Sequence, residues 1–524
     1  MKKINHRNGS VKSAMILGCM AGLIAIYGYF SNVALSQKEE LKHFDVKPEV
    51  NETSEIEIVN KPSRAEIKKV SAQSIAPAVG VDLGEEVEPN GTPATATALM
   101  GNEGKVRGRV MPNADEDYYS FTANAGDRVY AGVTTAFSAN NSTDSQLRLF
   151  ASDGTTVIEF DEDDGTQGGL ASTIANATIP ANGTYYFQVK HFSATNQLRP
   201  YELYFRIQSV APVAEVEAND TPATANVLPA SGLVSGARNP AASTEQDWYS
   251  MTLAAGDTVN LSLDLDPERD NVQWNGRLGI ALFGDANNQI LVVDDASAGS
   301  VANPLSENLT MTVRTAGTYF AFVDSASAAT GGPTATYTLS VTRIPRAPVG
   351  VNCTTYTSTN VPQTIGPGTG LVSSTLTVPG NPRIASTRLL LDLNHALMGD
   401  LDVHLRSPAA NDNGVFTDIG AAATGGQTIM NTIFDDYAGS TPIFTALNGL
   451  ALKPEAAYRM DWYNGENAGG TWTLDIRDDG ANVSGGTLNS WGLEICEQPA
   501  AAGVIFYNEN FDVGPFNLGN GGET

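Results

Sequence analysis

A long stretch of this chain is written twice. Glu86-Val-Glu-Pro-Asn-Gly-Thr-Pro-Ala-Thr-Ala-Thr returns as Glu215-Val-Glu-Ala-Asn-Asp-Thr-Pro-Ala-Thr-Ala-Asn, an offset of 129 residues. Asp117-Tyr-Tyr-Ser-Phe-Thr returns as Asp247-Trp-Tyr-Ser-Met-Thr at an offset of 130, and both are followed by Ala-Gly-Asp, at Ala125–Asp127 and Ala255–Asp257. Gly183-Thr-Tyr-Tyr-Phe against Gly317-Thr-Tyr-Phe-Ala, and Tyr201-Glu-Leu against Tyr337-Thr-Leu, keep the same order. A period this long marks a duplicated domain, because solenoid repeats run to only about 20–50 residues. Inside each copy, apolar and polar residues alternate between Gly, Asn and Asp turns, as in Tyr118-Tyr-Ser-Phe-Thr, Leu147-Arg-Leu-Phe and Tyr185-Tyr-Phe-Gln-Val-Lys. Side chains on a strand point to opposite faces in turn, so the pattern predicts half-buried strands. Short strands at that rhythm predict an all-β chain of tandem antiparallel β-sandwiches.

Charge limits the function. The net formal charge is −27, and from Val81 onward 20 basic residues face 50 acidic ones. Such a field repels nucleic acid and favours hard cations such as Ca²⁺. We therefore expect no nucleic-acid partner, and no membrane contact beyond a possible N-terminal anchor.

The N-terminus reads as an export signal over residues 1–36. Lys2, Lys3, Arg7 and Lys12 precede the apolar stretch Ala14–Phe30, and Ala34-Leu35-Ser36 supplies a small-x-small cleavage pattern. An uncleaved membrane anchor is the alternative; a lipid anchor at Cys19 has too little apolar sequence before it. Residues 37–84 form a tether or pro-segment. Past the signal only Cys353 and Cys496 remain, and a single disulfide between them in an oxidising compartment is expected. The expected location is therefore extracellular.

The two copies, over residues 85–209 and 214–344, resemble the bacterial pre-peptidase C-terminal domain through the E-x-E-x-N-D-T-P-A-T-A opening, the D-W/Y-Y-S/T-F strand and the A-G-D turn. The resemblance implies secreted β-sandwich accessory modules, some of which bind Ca²⁺ or matrix substrates. Glu86, Glu88 and Asn90 offer oxygens on one extended segment, onto which Asp115 and Asp117 can converge; Ca²⁺ takes about six to eight such ligands. In the second copy the corresponding set is Glu215, Glu217, Asn219, Asp220 and Asp247. The alternative reading is that these acids cap turns and solvate an edge.

Residues 350–498 differ. Their stretch His395-Ala-Leu-Met-Gly-Asp400-Leu-Asp-Val-His-Leu-Arg-Ser-Pro408 resembles the P domain (Homo B) of subtilisin-like proprotein convertases. Gly470-Thr-Trp-Thr-Leu-Asp-Ile-Arg-Asp and Gly486-Thr-Leu-Asn-Ser-Trp491-Gly-Leu match two further elements of that family, whereas Pro408-Ala-Ala departs from its usual Pro-x-Gly-Thr turn. The resemblance implies a jelly-roll sandwich that stabilises an adjoining protease domain and carries no catalytic residue. Asp400 and Asp402 are expected on one face of a strand, where with Asp435, Asp436, Asp478 and Asp479 they can form an oxygen-only Ca²⁺ site. Hydrogen-bonded turn aspartates are the alternative. His395 is expected to be structural, His404 to face solvent, and Trp472 and Trp491 to anchor the core.

No catalytic apparatus is visible. The histidines beyond the signal are His43, His191, His395 and His404; none lies in an H-G-T context, and no G-T-S-x-A, G-x-S-x-G or H-E-x-x-H motif occurs. Residues 503–524 read as the start of a further β-module; either that strand docks onto the third unit or, the favoured reading, the chain is a fragment of a longer protein. Three readings of function stand: a secreted non-catalytic accessory or targeting region for extracellular subtilisin-like proteolysis; a portion of a serine-type endopeptidase whose catalytic domain lies outside this chain; or a surface adhesin or stalk. The expected partner is an extracellular protein, a matrix polymer or a protease domain.

Overall fold

The structure is a computed structural model, which describes residues 76–77, 79–138, 143–163, 170–238, 245–271, 274–282, 290–293, 304–325, 335–347, 349–419, 428–442, 448–455 and 458–499. The expected signal, most of the tether and the C-terminal β-module lie outside these residues. Among those described the chain is all-β, with two short 3₁₀ turns, Met398–Asp400 and Met460–Tyr463, and no α-helix. No helix there is long and apolar enough to cross a membrane.

The first repeat folds into two five-stranded sheets. One runs Val81–Glu85, Glu103–Val110, Leu198–Gln208, Arg128–Thr134, Thr173–Thr178; the other runs Thr97–Ala98, Glu116–Ala123, Gly183–His191, Ser145–Phe150, Val157–Asp161. The alternation read from Tyr118-Tyr-Ser-Phe-Thr puts Tyr119 and Phe121 into the core between the sheets. There Phe121 stacks on Phe187 at 4.7 Å between ring centroids. The second repeat has the same lateral order in both sheets. Its sheets run Val213–Ala214, Leu233–Ala237, Thr336–Ile344, Thr258–Asp264, Ser306–Val313 and Asn226–Val227, Asp247–Leu253, Gly317–Ser325, Gly276–Leu282, Ile290–Val293. The Ala-Gly-Asp turns work alike in each copy. Gly126 and Gly256 take φ of 88° and 85°, which a side chain would resist. Asp127 and Asp257 accept the backbone N–H of Asn124 (2.7 Å) and Ala254 (2.8 Å).

The third unit is again a two-sheet sandwich. Gly370–Val378, Gly470–Asp478, Leu401–Arg406 and Asp412–Thr417 make one sheet. The other holds Ile429–Phe434, Ile384–His395, Gly486–Glu497 and Val351–Thr357, and it continues without a break into the second repeat. Leu450–Leu452 bridges the two, pairing with Ile429–Phe434 on one side and with Ser306–Val313 on the other (Thr312 opposite Ala451, Val313 opposite Leu450). One apolar cluster accordingly runs through both units. Trp472 and Trp491 are buried in it, their indole N–H groups bonded to the Ala468 carbonyl (2.9 Å) and to Ser374 Oγ (2.6 Å). A disulfide joins Cys353 to Cys496, tying the edge strand to its neighbour.

Candidate metal sites

In the first repeat, an extended segment passes from the edge of one sheet to the edge of the other. The Glu86 N–H bonds to the Arg107 carbonyl (2.8 Å) and the Asn90 carbonyl accepts from the Tyr118 N–H (3.0 Å), so Glu86, Glu88 and Asn90 are pinned beside Asp117. Glu86 Oε1 accepts the Arg109 N–H (2.6 Å), and Oε2 accepts from Asn90 Nδ2 (3.0 Å) and contacts the Tyr119 hydroxyl (2.6 Å). Glu88 Oε2 accepts the Asn90 N–H (2.7 Å). Asp117 Oδ2 meets the Tyr201 hydroxyl at 2.7 Å, and the two tyrosine hydroxyls are 2.6 Å apart. Two oxygens are left over: Asp117 Oδ1 and Asn90 Oδ1 are buried and make no hydrogen bond. Both residues are fully buried. Glu86, Glu88 and Asp117 each place an oxygen within 4.8 Å of the others.

Electrostatics agree with the geometry. Burial, then the neighbouring Glu86, pushes the Asp117 carboxyl up to about 9, and burial raises Glu86 as well. The buried Asp117 and the half-buried Glu86 cannot both be anions beside the exposed Glu88 without cost unless a cation joins them. The orphan oxygens are of the hard type that Ca²⁺ takes.

The second repeat builds the same arrangement. Glu215 Oε1 accepts the Ala237 N–H (2.6 Å), and Oε2 meets the hydroxyls of Tyr249 (3.1 Å) and Tyr337 (2.9 Å). Tyr337 also reaches Asp247 Oδ2 at 2.8 Å. Asn219 Oδ1 and Asp247 Oδ1 are again buried without a hydrogen bond. Glu215, Glu217 and Asp247 form one group of converging oxygens, and Glu217, Asp220 and Glu245 form a second that shares Glu217. Burial, then Glu215, pushes Asp247 up to about 8. The cradle depends on glycine: a Cβ at Gly236 would run into the Tyr337 hydroxyl and Glu215 Oε2, and one at Gly108 into the hydroxyls of Tyr119 and Tyr201.

Not every expected ligand converges. Asp115 raises its neighbour Asp117 electrostatically, but its own oxygens accept the N–H groups of Met111 and Glu116 at 3.1 Å each, so it caps its turn. The six aspartates of the third unit do not meet at one point. Asp435 is buried against Arg346 (2.5 Å), with Arg388 at 3.7 Å. Asp436 accepts the N–H groups of Met460 (3.0 Å) and Asp461 (2.7 Å). Asp400 belongs to the 3₁₀ turn before the strand rather than to the strand carrying Asp402, and it accepts from Asn482 Nδ2 at 2.7 Å. Asp478 lies 3.2 Å from His395 Nε2 and accepts the Gly480 N–H at 3.0 Å. Asp479 donates its N–H to the Asp400 carbonyl (2.9 Å) and lies near Asp402, whose carboxyl burial and Asp479 raise. Here the turn-aspartate alternative describes the bonds. His395 is buried with Asp478, whereas His404 is partly exposed, 3.4 Å from Asp412.

The tyrosine pairs and Glu245 were absent from the expected sites. The signal for them was present: Tyr119 and Tyr249, Tyr201 and Tyr337, and Asp115 and Glu245 occupy matching places in the two copies.

Residues 115–191 match the model of the bacterial pre-peptidase C-terminal domain, and residues 452–495 that of the proprotein convertase P-domain. No curated protein matches the chain. Among solved structures, PliG of Aeromonas hydrophila, a periplasmic inhibitor of g-type lysozyme, is 18% identical, with 25% of this chain covering 100% of that one at a TM-score of 0.17. The pre-peptidase C-terminal domain of a Bacillus anthracis collagenase is 15% identical over 25% of this chain and 97% of its own, at a TM-score of 0.16. The Aeromonas sobria serine protease, in complex with its chaperone, is 14% identical over 44% of this chain and 38% of its own, at a TM-score of 0.18. The chain thus carries a bacterial pre-peptidase C-terminal domain and, toward its C-terminus, a proprotein convertase P-domain.

Proposed function

We propose that this chain is a secreted, non-catalytic accessory region of extracellular, subtilisin-like proteolysis, in which calcium-loaded β-sandwiches stabilise or target the protease. The observation that carries this reading is the presence in one chain of two domain types named for peptidases, with no recognisable catalytic motif beside them. The common strand order supports assigning the second repeat to the same pre-peptidase type as the first. Glu86, Glu88, Asn90 and Asp117 in one copy, with Glu215, Glu217, Asn219, Asp220, Glu245 and Asp247 in the other, would hold Ca²⁺. The ion would supply the positive charge that lets the buried carboxylates ionise together.

The test is incubation of the purified chain with labelled casein, with and without a serine-directed inhibitor. We expect no turnover. Inhibitor-sensitive cleavage by the chain alone would sink the non-catalytic reading. In a second arm, the chain is added to a subtilisin-like protease held at inactivating temperature in Ca²⁺. Prolonged protease activity is the expected result, and an unchanged half-life counts against stabilisation.

A further inference from the structure

Where the first unit meets the third, the strand Glu103–Val110 and the stretch leading into Met460–Tyr463 enclose a cleft lined by the cations Arg107, Lys453 and Arg459 and the acids Asp436 and Glu455, with Phe137, Pro454 and Tyr458 as its apolar walls. Arg109 adds a fourth cation close to Arg459. This concentration of positive charge stands out in a chain where acids outnumber bases 50 to 20 beyond Val81.

The nearby acids are already engaged. Asp436 accepts two backbone N–H groups, as described above. Glu455 Oε2 accepts the Thr417 N–H (2.7 Å) and hydroxyl (2.9 Å). Glu202, beneath the cleft, takes Lys105 at 3.2 Å and Lys453 at 3.0 Å. Glu85 binds Arg109 at 2.8 Å and stays 3.8 Å from Arg107 Nε. Donor capacity is left over. Arg107 Nε is buried without a hydrogen bond. Arg459 makes no hydrogen bond or close ion pair among the described residues; burial and Arg107 disfavour its charge, and the more distant Asp461 and Asp436 only partly offset them. Repulsion among Arg107, Arg109 and Arg459 and their desolvation oppose this gathering, and for Arg459 the neighbouring acids offset that cost only in part.

We propose that this cleft binds a small oxyanion, the carboxylate or sulfate group of a ligand, between the guanidinium groups of Arg107 and Arg459 and close to the Lys453 ammonium. Guanidinium forks match such planar or tetrahedral oxyanions with paired, charge-assisted bonds. Phe137, whose ring centroid lies 4.7 Å from Lys453 Nζ, and Tyr458 would pack against the carbon skeleton that bears the anion. Because Arg107 comes from the first unit and Arg459 from the third, the bound anion would bridge the two.

The test is calorimetric titration of the Ca²⁺-saturated full chain with sodium sulfate and, separately, sodium acetate, against sodium chloride at matched ionic strength. Saturable one-site binding of sulfate, acetate or both is expected, and which anion binds identifies the chemistry. Arg459→Gln should weaken that binding roughly tenfold or more. Without added anion, the same substitution should leave the melting temperature unchanged or raise it, because it removes a like charge and breaks no bond. Three results would overturn the proposal: no saturable heat with either salt, equal affinity in Arg459→Gln, or a lower anion-free melting temperature for that variant.

Discussion

The hydroxyls of Tyr119 and Tyr201 lie 2.6 Å apart, and each also reaches a different acid: Glu86 at 2.6 Å and Asp117 at 2.7 Å. Two hydroxyl protons cannot serve three such contacts. The cluster therefore needs a further proton, and burial, then Glu86, push the Asp117 carboxyl up to about 9. In the proposed Ca²⁺ sites of the two repeats, the cation would take the place of such a proton. Tyr249 and Tyr337 repeat the arrangement with Glu215 and Asp247.

Tyr201→Phe should weaken Ca²⁺ binding at the first site by roughly 10–100-fold, the usual effect of removing a group that orients a metal ligand. The fold should survive, since the ring remains buried. Calorimetric titration of the variant with CaCl₂ checks this; wild-type affinity would mean that the tyrosine pair is core packing and nothing more.

Chelation should lower the melting temperature of the full chain, and added Ca²⁺ should restore it. A ligand that binds only the folded state stabilises by about 2.7 kcal/mol at a hundred times its dissociation constant. Asp117→Asn together with Asp247→Asn should abolish the response while raising the chelated melting temperature, because the double substitution removes two buried acids that cannot ionise freely. A melt that does not move across millimolar Ca²⁺ removes the metal from both repeats.

The pH dependence has an unusual sign. Asp117 and Asp247 sit at about 9 and about 8 in the folded chain without metal, far above an unfolded aspartate at about 3.9. Between those values the folded state holds more protons than the unfolded one, so stability falls as pH rises. Their contribution is complete below about pH 4 and is lost as pH climbs through 8 and 9. The chelated chain should therefore melt at progressively lower temperature from pH 5 to pH 9 on account of these groups. With saturating Ca²⁺ the slope should flatten, and loading at pH 7 should release protons, detectable as a buffer-dependent heat. A chelated melt that rises with pH over this range would contradict the assignment.

Much of this was legible in the residues. The repeat offset and the strand alternation lead to the β-sandwiches, and Glu86-Val-Glu-Pro-Asn, with its counterpart at Glu215, marks where oxygens gather. The position of Asp117 could be read because its strand and the acidic segment recur together. The failures came from contacts made across the fold. Asp435 belongs to Arg346, 89 residues away, and Asp436 caps the turn at Met460; no local pattern separates such aspartates from metal ligands. The continuous sheet through Leu450–Leu452 was equally hidden, because a three-residue strand carries almost no periodic signal.

Glu202 is the acid that holds the first and third units together. It is buried, bonded by Lys105 and Lys453, and 2.8 Å from the Tyr204 hydroxyl. Burial alone would raise its carboxyl, but the two lysines outweigh it and hold the group down at about 2, while burial lowers Lys453 to about 8. Glu202→Gln leaves the buried Lys453 ammonium without a counter-charge and leaves Lys105 only Asp82, at 3.5 Å, and should cost about 3–5 kcal/mol. Lys453→Met should cost less, since Glu202 keeps Lys105 and the new side chain can still pack on Phe137. The measurement is urea unfolding of both variants at pH 7, followed by tryptophan fluorescence, with limited proteolysis reporting separation of the units. Equal losses for the two substitutions would mean that the pair with Lys105 adds nothing and that Glu202 has no special place at the junction.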